Sequence, residues 1–346
     1  MSANPSTQSG VAYARTEDHR LITGQGQYTA DVQYPGMLHL HVIRSMHAHA
    51  RITRLDLSAV KTAPGVRWVM TAEDIDANAG QDLPNAVSVK DRHGEPQRVA
   101  RMPVLARDTV RFVGQPIAFV IADSAYQAQD AAELADLEFD ILPAAASLDA
   151  ALAVGAPVLH EASPHNVSAE FEAGDRASVE AAFAQAAHTS TLRVVSQRLI
   201  PAPMEPRAVV ALYDEAQDRT RVHTPTQGIL GMLGFLSQAT GMPAEKFEIL
   251  TIDVGGSFGI RGGAFSEHVG VVIAARAGYD PYGLPAVLQT LQAMSAQDST
   301  LSLMFATHPA PEARLEALDK AMGASLDAYA AQPQLQARFQ KSVGRP

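Results

Sequence analysis

The feature that most restricts the fold is a glycine-rich stretch directly after an apolar segment. KFEILTID (246–253) has the composition of a β-strand, and VGGSFGIRGG (254–263) follows it at once. Glycine adopts backbone angles that other residues avoid, so the chain can turn sharply there and point successive N–H groups at an anion. The stretch matches neither G-x-G-x-x-G nor a phosphate loop ending in GK[ST], so an ordinary tight connection remains an alternative.

Hydrophobic periodicity predicts strands and helices in mixed order along the rest of the chain. The segments whose alternating or apolar residues predict strands are 36–45, 50–58, 62–71, both sides of Gly-Gln-Pro within 109–123, 138–143, 188–200 and 208–214. Helical spacing predicts helices at 124–137, with Ser124 as N-cap, at 178–187, and at 228–241, which Gly241 ends. The polar residues 76–103 predict a long loop. This mixture predicts the α+β class.

Charge and composition argue against several functions. The net charge is −10 and basic residues form no cluster, which argues against a nucleic-acid surface. The chain has no cysteine, so it cannot hold an iron–sulfur cluster or a Cys-ligated zinc, and any iron–sulfur relay must sit in another chain. The polar N-terminus lacks the apolar core of a signal peptide, and the longest apolar run, near 269–275, is too short to span a bilayer. These features predict a cytoplasmic location without membrane contact.

Eight segments form an ordered series of motifs. In chain order they are RTEDHRLITGQGQYTADV (15–32), RSMHAHARITRLD (44–56), PVLARDTVRFVGQPIAFVIAD (103–123), DAAELADLEFDILPA (130–144), HNV (165–167), PMEPRAVVALYD (203–214), HTPTQ (223–227) and ILTIDVGGSFGIRGG (249–263). The series, over about 15–275, resembles the molybdopterin-binding large subunit of the xanthine dehydrogenase, aldehyde oxidase and carbon monoxide dehydrogenase family. It implies a flexible leader (1–19), an α/β-hammerhead domain (20–150) and a truncated molybdopterin-binding α+β domain (151–275).

The resemblance implies a molybdopterin-type molybdenum cofactor, in which a pterin dithiolene and not a protein thiolate holds the metal. It places Gln227 where an amide donates a hydrogen bond to an oxygen on molybdenum. It places a basic residue, Arg261, after the loop, and Gly262 where purine-oxidising members carry a glutamate, which argues against a purine substrate. The loop residues that it places beside the cofactor are Gly255, Gly256, Phe258 and Gly259, with Ser257 replacing a commoner glycine.

The implied reaction is oxidative hydroxylation of a carbon centre, such as an aldehyde or an N-heterocycle, or oxidation of CO. Electrons would leave through an iron–sulfur subunit and an FAD subunit. The family's general base is a glutamate near the C-terminus of a much longer chain, and the family pattern ends near Arg276. We therefore assign no catalytic residue and no protein metal ligand, and expect this chain to be an inactive fragment by itself that binds the cofactor poorly.

The helical tail, 276–346, carries a resemblance to a different family, which extends over about 270–335. Its predicted helices and Thr307, His308 and Pro309 are similar to the C-terminal end of HtpX-like zinc endopeptidases. The HExxH helix of that family is missing, so the tail is expected to be at most a remnant of a metallopeptidase. Because both halves are cut inside a catalytic region, a fusion or a sequence-assembly error is the hypothesis for their origin.

Two other functions remain open. His39, His41, His47 and His49 form two His-x-His pairs, and a strand places both imidazoles of such a pair on one face, where they could bind zinc, copper or nickel. A non-catalytic module that docks a partner chain is the other alternative. Glu205, in MEPR, is expected to be a buried charge paired with Arg207 and not a catalyst.

Overall fold

The computed structural model describes residues 15–85, 89–98, 100, 102–278 and the backbone of 281–283. Its strands are β1 (Leu38–Arg44), β2 (Ala50–Asp56), β3 (Val66–Met70), β4 (Thr109–Val110), β5 (Pro116–Ala122), β6 (Asp136–Ile141), β7 (Val209–Asp214), β8 (Arg219–His223), β9 (Phe247–Leu250) and β10 (Pro281–Gly283). Its helices are α1 (Asp18–Ile22), α2 (Ser58–Thr62), α3 (Ala72–Ala77), α4 (Ala125–Ala132), α5 (Leu148–Leu152), α6 (Arg176–Gln185), α7 (Ile229–Thr240) and α8 (Ser266–Arg276).

The strands form two sheets. The larger has the order β3-β5-β1-β10-β7-β8-β9, in which only the β1–β10 and β8–β9 pairs are parallel. The smaller has the order β4-β2-β6 and is antiparallel. All seven residues of β5 are buried, because β5 lies between β3 and β1 and both of its faces are covered. That double burial explains its uninterrupted apolar run.

One hydrophobic core joins residues from both predicted domains. Leu40 of β1 and Phe119 of β5 belong to the same buried cluster as Val209 of β7, Met232 of α7 and Val272 of α8. A second cluster lies around the smaller sheet and the opposite side of β5, with Val60, Val110, Ile117, Val120 and Ala131. The proposed boundary between residues 150 and 151 falls within α5, and it stays a prediction.

The HNV motif closes the connector that follows α5. The side-chain carbonyl of Asn166 accepts from the Leu159 N–H at 3.1 Å, and its NH₂ group donates to the carbonyls of Ala151 and Pro157, both at 3.0 Å. Asn166 itself has φ of 59°, a left-handed conformation that asparagine tolerates better than most residues. The motif therefore has a structural role in this chain.

The predicted α+β class is confirmed, and most predicted elements are present. Ser124 caps α4, accepting from the Gln127 N–H at 3.3 Å, and Gly241 ends α7 with φ of 67°. The described residues of the predicted loop 76–103 are irregular after α3 ends at Ala77. None of the helices in the described ranges is long and apolar enough to cross a membrane. The helix predicted at 280–294 is wrong at its start, because residues 281–283 form β10; the rest of the predicted tail helices and leader residues 1–14 lie outside the described residues.

The predicted strand at 188–200 is wrong. These residues are exposed and irregular, with Leu192 at 84% and Ile200 at 91% exposure. An alternating pattern becomes a strand only where a neighbouring strand completes the hydrogen bonds, and no strand in the described part of the chain pairs with this segment. The prediction also missed β8, which is short and polar, and α8, whose nearly continuous apolar run shows no helical face because almost all of it is buried.

Candidate functional site

The glycine-rich loop connects β9 to α8 and has an unusual backbone. Gly256, Phe258 and Gly259 have φ of 101°, 51° and 94°, so three of four consecutive residues are left-handed. A Cβ at position 256 would lie 2.9 Å from the Cβ of Pro203, which requires glycine there. Phe258 is 74% exposed and does not pack in the core. The loop is thus a turn of defined conformation that exposes part of its backbone and one aromatic ring at the surface.

A buried ion pair lies beneath this loop. The Arg261 guanidinium donates to Oε2 and to the carbonyl oxygen of Glu205, both at 2.5 Å, with 1% and 5% of the two side chains exposed. The Gly255 N–H donates to the same Oε2 at 2.8 Å. Arg261 and Gly255, two of the predicted cofactor residues, are therefore joined through Glu205.

Gln227 is attached to the same cluster through its backbone. Its N–H donates to the Arg261 carbonyl at 3.1 Å, and the Thr226 hydroxyl donates to that carbonyl at 3.3 Å. The side chain of Gln227 is exposed, and its Oε1 lies 3.8 Å from the position that a Cβ on Gly262 would occupy. The structure thus brings all six predicted cofactor residues to one loop and the turn beside it.

The N-terminal segment holds the start of the loop. Arg20 forms a two-pronged ion pair with Asp253, including Nη2 to Oδ1 at 2.6 Å. The Gln27 N–H donates to Asp253 Oδ2 at 2.8 Å, and the Asp253 N–H donates to the Gln27 carbonyl at 3.0 Å. The hydrogen bonds from Arg20 and from the Gln27 backbone lower the pKa of Asp253 to about 2. The carboxylate is therefore charged at neutral pH.

A cleft of about 510 Å³ opens beside the loop. Its size lies within the range of small-molecule sites. The loop contributes Gly259 and Gly262, and the remaining walls come from the irregular segment after α3, from the connector and from α7. The lining residues include Leu83, Arg98, Met102, Ser168, Phe235, Ile260 and Phe265.

His268 stands behind the loop in the first turn of α8 and is 5% exposed. Its Nδ1 accepts from the Phe265 N–H at 3.2 Å, so Nε2 carries the proton and donates to the Thr224 hydroxyl at 3.0 Å. The hydroxyl in turn donates to the Ala208 carbonyl at 3.2 Å. Burial lowers the pKa of His268 to about 4, so the ring is neutral at pH 7. The imidazole therefore links the first turn of α8 to Thr224 and, through its hydroxyl, to Ala208.

The burial of His268 predicts that the folded protein loses stability in mild acid. Its folded pKa of about 4 lies below the usual 6.5, so the unfolded chain takes up the proton first as the pH falls. The contribution of the neutral ring to stability is fully present above pH 6.5 and is lost as the pH falls from 6.5 to 4. By pH 5 the stability lost amounts to about 2 kcal/mol. Urea unfolding of wild type and His268→Gln at pH 7 and 5 measures it. Equal losses in both proteins would contradict this assignment.

A second buried cluster shows that the expected Glu205–Arg207 pair is wrong. Arg207 instead lies 3.7 Å from Oε1 of Glu267, which also pairs with Arg44, and its guanidinium stacks 3.8 Å above the ring of Phe265. Arg207 precedes β7, against which α8 packs, so its side chain meets the first turn of α8. Glu205 lies two residues earlier, beside the glycine loop.

The four histidines of the alternative metal site are not assembled into one. His49 Nδ1 lies 2.6 Å from the Pro143 carbonyl, and the His47 ring packs edge-on against Phe139 at 4.8 Å. His41 is largely buried in β1, and burial lowers its pKa to about 4. Nowhere in the described residues do three His, Cys, Asp or Glu side chains group as a metal site would require. The geometry gives the His-cluster alternative no support.

Sequence reasoning missed Glu205 as the partner of Arg261, and also Thr224, Glu267 and His268. A signal for Glu205 existed, because a charged residue between apolar and proline residues in PMEPR is rarely buried without a partner. The sequence offered several arginines, however, and no means of choosing among them. No comparable signal marked Thr224 or His268.

Two family models match the chain. One, described as the a/b hammerhead domain of aldehyde oxidase and xanthine dehydrogenase, matches residues 23–143. The other, described as the molybdopterin cofactor-binding domain, matches residues 159–297. Together they cover most of the chain, including the loop, Gln227 and Glu205.

Individual relatives agree with these models. The chain is 34% identical to the 6-hydroxypseudooxynicotine dehydrogenase complex subunit gamma of Paenarthrobacter nicotinovorans, over 77% of this chain and 33% of that subunit. It is 35% identical to the nicotine 6-hydroxylase large subunit of the same organism, over 77% and 32%. Reconstituted CO dehydrogenase from Oligotropha carboxidovorans matches in structure with a TM-score of 0.71 and 30% identity, over 80% of this chain and 34% of that one.

The chain therefore spans about a third of the length of these relatives. Their similarity extends over both matched regions, and it confirms the resemblance that the motifs indicated. On this evidence the chain belongs to the molybdopterin-binding large-subunit family of xanthine dehydrogenases, aldehyde oxidases and carbon monoxide dehydrogenases.

Proposed function

We propose that this chain supplies the hammerhead region and one cofactor-binding region of a molybdenum-dependent oxidoreductase. The observation behind the proposal is a series of contacts. Hydrogen bonds of Arg261 connect Gln227 to the loop Gly255–Gly259, three of whose residues have left-handed backbone angles. The exposed amide of Gln227 and the exposed backbone of Gly259, which lines the cleft, are suited to a polar, oxygen-bearing ligand. The reaction proposed is oxidative hydroxylation of a carbon centre.

The residues present fit such a cofactor. Nothing lies within 4 Å of a Cβ placed on Gly259, so the backbone there is open to a ligand. The Ser257 hydroxyl is buried and lacks a hydrogen-bond partner among the described residues. We propose that Gln227, Gly256, Phe258 and Gly259 contact the cofactor, whereas Gly255 and Arg261, whose donors face Glu205, hold the loop from behind.

When bound, the cofactor supplies the redox metal and the oxygen that reaches the substrate. In this proposal the Gln227 amide would help to hold the cofactor by donating a hydrogen bond to it, which would stabilise negative charge on the bound group. The loop and the walls of the cleft, among them Phe235 and Phe265, exclude water and orient the substrate. We assign no general base to the described residues.

The electron acceptors are proposed to be separate subunits. Relatives are named as a complex subunit, a large subunit and a large chain, so association with other chains is expected here also. The chain contains no cysteine and cannot bind an iron–sulfur cluster itself. An iron–sulfur subunit and an FAD subunit would carry the electrons away.

The first substrates to assay are N-heterocycles. Two relatives are named for nicotine and for a nicotine derivative. The cleft beside Gly259 combines apolar walls, including Leu83, Met102 and Phe235, with the polar groups of Arg98 and Ser168. Such a lining suits a flat ring that carries one or two polar atoms.

Metal and pterin content is the direct test. The 346-residue chain, made in a host that synthesises molybdopterin, is expected to purify with measurable molybdenum and pterin in equal amounts, at less than one of each per chain because binding by this chain is expected to be weak. The measurements are elemental analysis and fluorescence of the oxidised pterin. A chain that folds, as judged by circular dichroism, and carries neither would contradict the proposal and would favour the non-catalytic docking module.

A substitution at Gly259, compared with the same substitution at a control glycine, tests the proposed contact with the cofactor. Gly259→Ala strains a left-handed position by about 1 kcal/mol and places a methyl group where the cofactor is proposed to lie. Gly36, before β1, also has positive φ and nothing within 4 Å of its Cβ position, so Gly36→Ala imposes the same strain away from the loop. Both variants should lose similar stability, but only Gly259→Ala should lose molybdenum, by about tenfold. Equal molybdenum content in the two would count against Gly259 as a contact.

A further inference from the structure

Glu205 connects more parts of the site than any residue that the motifs pointed to. Its N–H donates to the Gly255 carbonyl at 3.2 Å, and its Oε2 accepts from the Gly255 N–H at 2.8 Å, so the two residues exchange two hydrogen bonds. A Cβ on Gly255 would lie only 2.4 Å from the Cβ of Glu205. The backbone of the loop therefore rests directly on this glutamate.

The same carboxylate reaches Gln227 through Arg261. Oε2 and the main-chain carbonyl of Glu205 receive the two terminal N–H groups of Arg261, both at 2.5 Å. The Arg261 carbonyl accepts the Gln227 N–H at 3.1 Å. The loop and the glutamine, which are far apart in the chain, are thus held by one continuous series of hydrogen bonds.

We propose that Glu205 is a positioning residue, which sets Gln227 and the loop Gly255–Gly259 in the relative places that the cofactor requires. This inference rests on the proposed function. With 5% of its side chain exposed, Glu205 does not reach a ligand in the cleft, so it acts only through Arg261 and Gly255. A hydrogen-bonding site tolerates displacements of about 0.5 Å, so a small movement of the loop against Gln227 loses the ligand.

The buried pair also has a merely structural role that a test must separate. Removing the carboxylate charge leaves Arg261, 1% exposed, without compensation, and any such change destabilises the protein. Glu205→Gln keeps the side-chain shape but removes the charge. The double variant Glu205→Leu with Arg261→Met replaces the buried pair by apolar side chains, which recovers most of the stability but leaves the Gly255 N–H without its side-chain acceptor.

The control is Asp56→Ala, which breaks an exposed ion pair to Arg54 in β2, outside the loop. The first readout is amide hydrogen exchange of the cofactor-free chain, which needs no activity. Glu205→Gln should speed exchange of the Gln227 and Gly255 amides at least about tenfold. Asp56→Ala should speed exchange of the Ser58 amide, which donates to Asp56, and leave Gln227 unchanged.

The second readout is molybdenum and pterin content. The molybdenum content of Glu205→Gln and of the double variant should fall about tenfold, although the double variant recovers most of the lost melting temperature, whereas Asp56→Ala should stay within about twofold of wild type. Unchanged Gln227 exchange in Glu205→Gln, or wild-type molybdenum content in the double variant, would overturn the inference. A wild-type chain without molybdenum would defeat the proposed function, while the exchange data would still decide whether Glu205 couples Gln227 to the loop.

Discussion

Replacing Glu267 with glutamine is expected to lower the free energy of unfolding by about 3–5 kcal/mol. The Glu267 side chain is 6% exposed and faces two guanidinium groups, those of Arg44 and Arg207, which are themselves 21% and 23% exposed. Burial by itself raises the pKa of Glu267, but the charges of the two arginines outweigh it, so the pKa lies below its ordinary value. The amide would leave two partly buried cations beside each other without a carboxylate. Urea unfolding at pH 7 measures the loss.

The matched control is Glu248→Gln. Glu248 pairs with Arg221 at 2.8 Å, but both side chains are more than a third exposed. Solvent screens such a pair, so its loss should cost less than about 1 kcal/mol. The contribution of Glu267 is present above pH 4.5 and is lost as the pH falls through the lowered folded pKa, since protonation removes the charge. Similar losses in the two variants at pH 7 would contradict the buried cluster.

Gly270→Val is expected to destabilise the protein by about 3 kcal/mol. A Cβ on Gly270 would lie 2.5 Å from Cε2 of Phe119, whose ring is completely buried in β5. The neighbouring strands cover Phe119, so the ring cannot move aside and α8 must shift away from the sheet. Gly231→Val is the control, because Gly231 lies in α7 with nothing within 4 Å of its Cβ position. That variant should stay within about 0.5 kcal/mol of wild type.

A second substitution tests the cause of this loss. Phe119→Leu removes ring atoms at the point of contact, at a cost of about 1–2 kcal/mol by itself. In the double variant with Gly270→Val, the valine methyl groups fill part of the vacated space, so the two losses should fall short of additivity by at least about 1 kcal/mol. Simple additivity in the thermal or urea unfolding data would mean that the helix does not rest on Phe119.

The local elements were predictable because their signals are local. The Ser124 cap of α4 and the left-handed Gly241 at the end of α7 follow from residues within one helical turn. The glycine loop was also predictable, because Gly256 and Gly259 adopt backbone angles that other residues avoid. The segment 188–200 shows the limit of this approach, because its alternating pattern states which residues would share a face but not whether a partner strand exists.

The residues of the site also fall into two groups, those that the sequence indicated and those that only the structure revealed. The ordered motifs indicated the family and brought attention to Gln227 and the loop, and no folding information was needed for that. The choice of Arg261 and not Arg207 as the partner of Glu205 depended on the approach of segments 56 residues apart. The strength of a buried ion pair depends on distance and on exclusion of water, and both arise only when the elements pack.

The sequence by itself determined the class of the fold, the turns and caps, and the family to which the chain belongs, because each is written in residue types at short spacing or in ordered motifs. Only the tertiary structure decided the order of strands in the larger sheet, the common core of the two predicted domains, and the link from Glu205 through Arg261 to Gln227. These features depend on contacts between distant segments, whose energy appears only once water has been removed from between them.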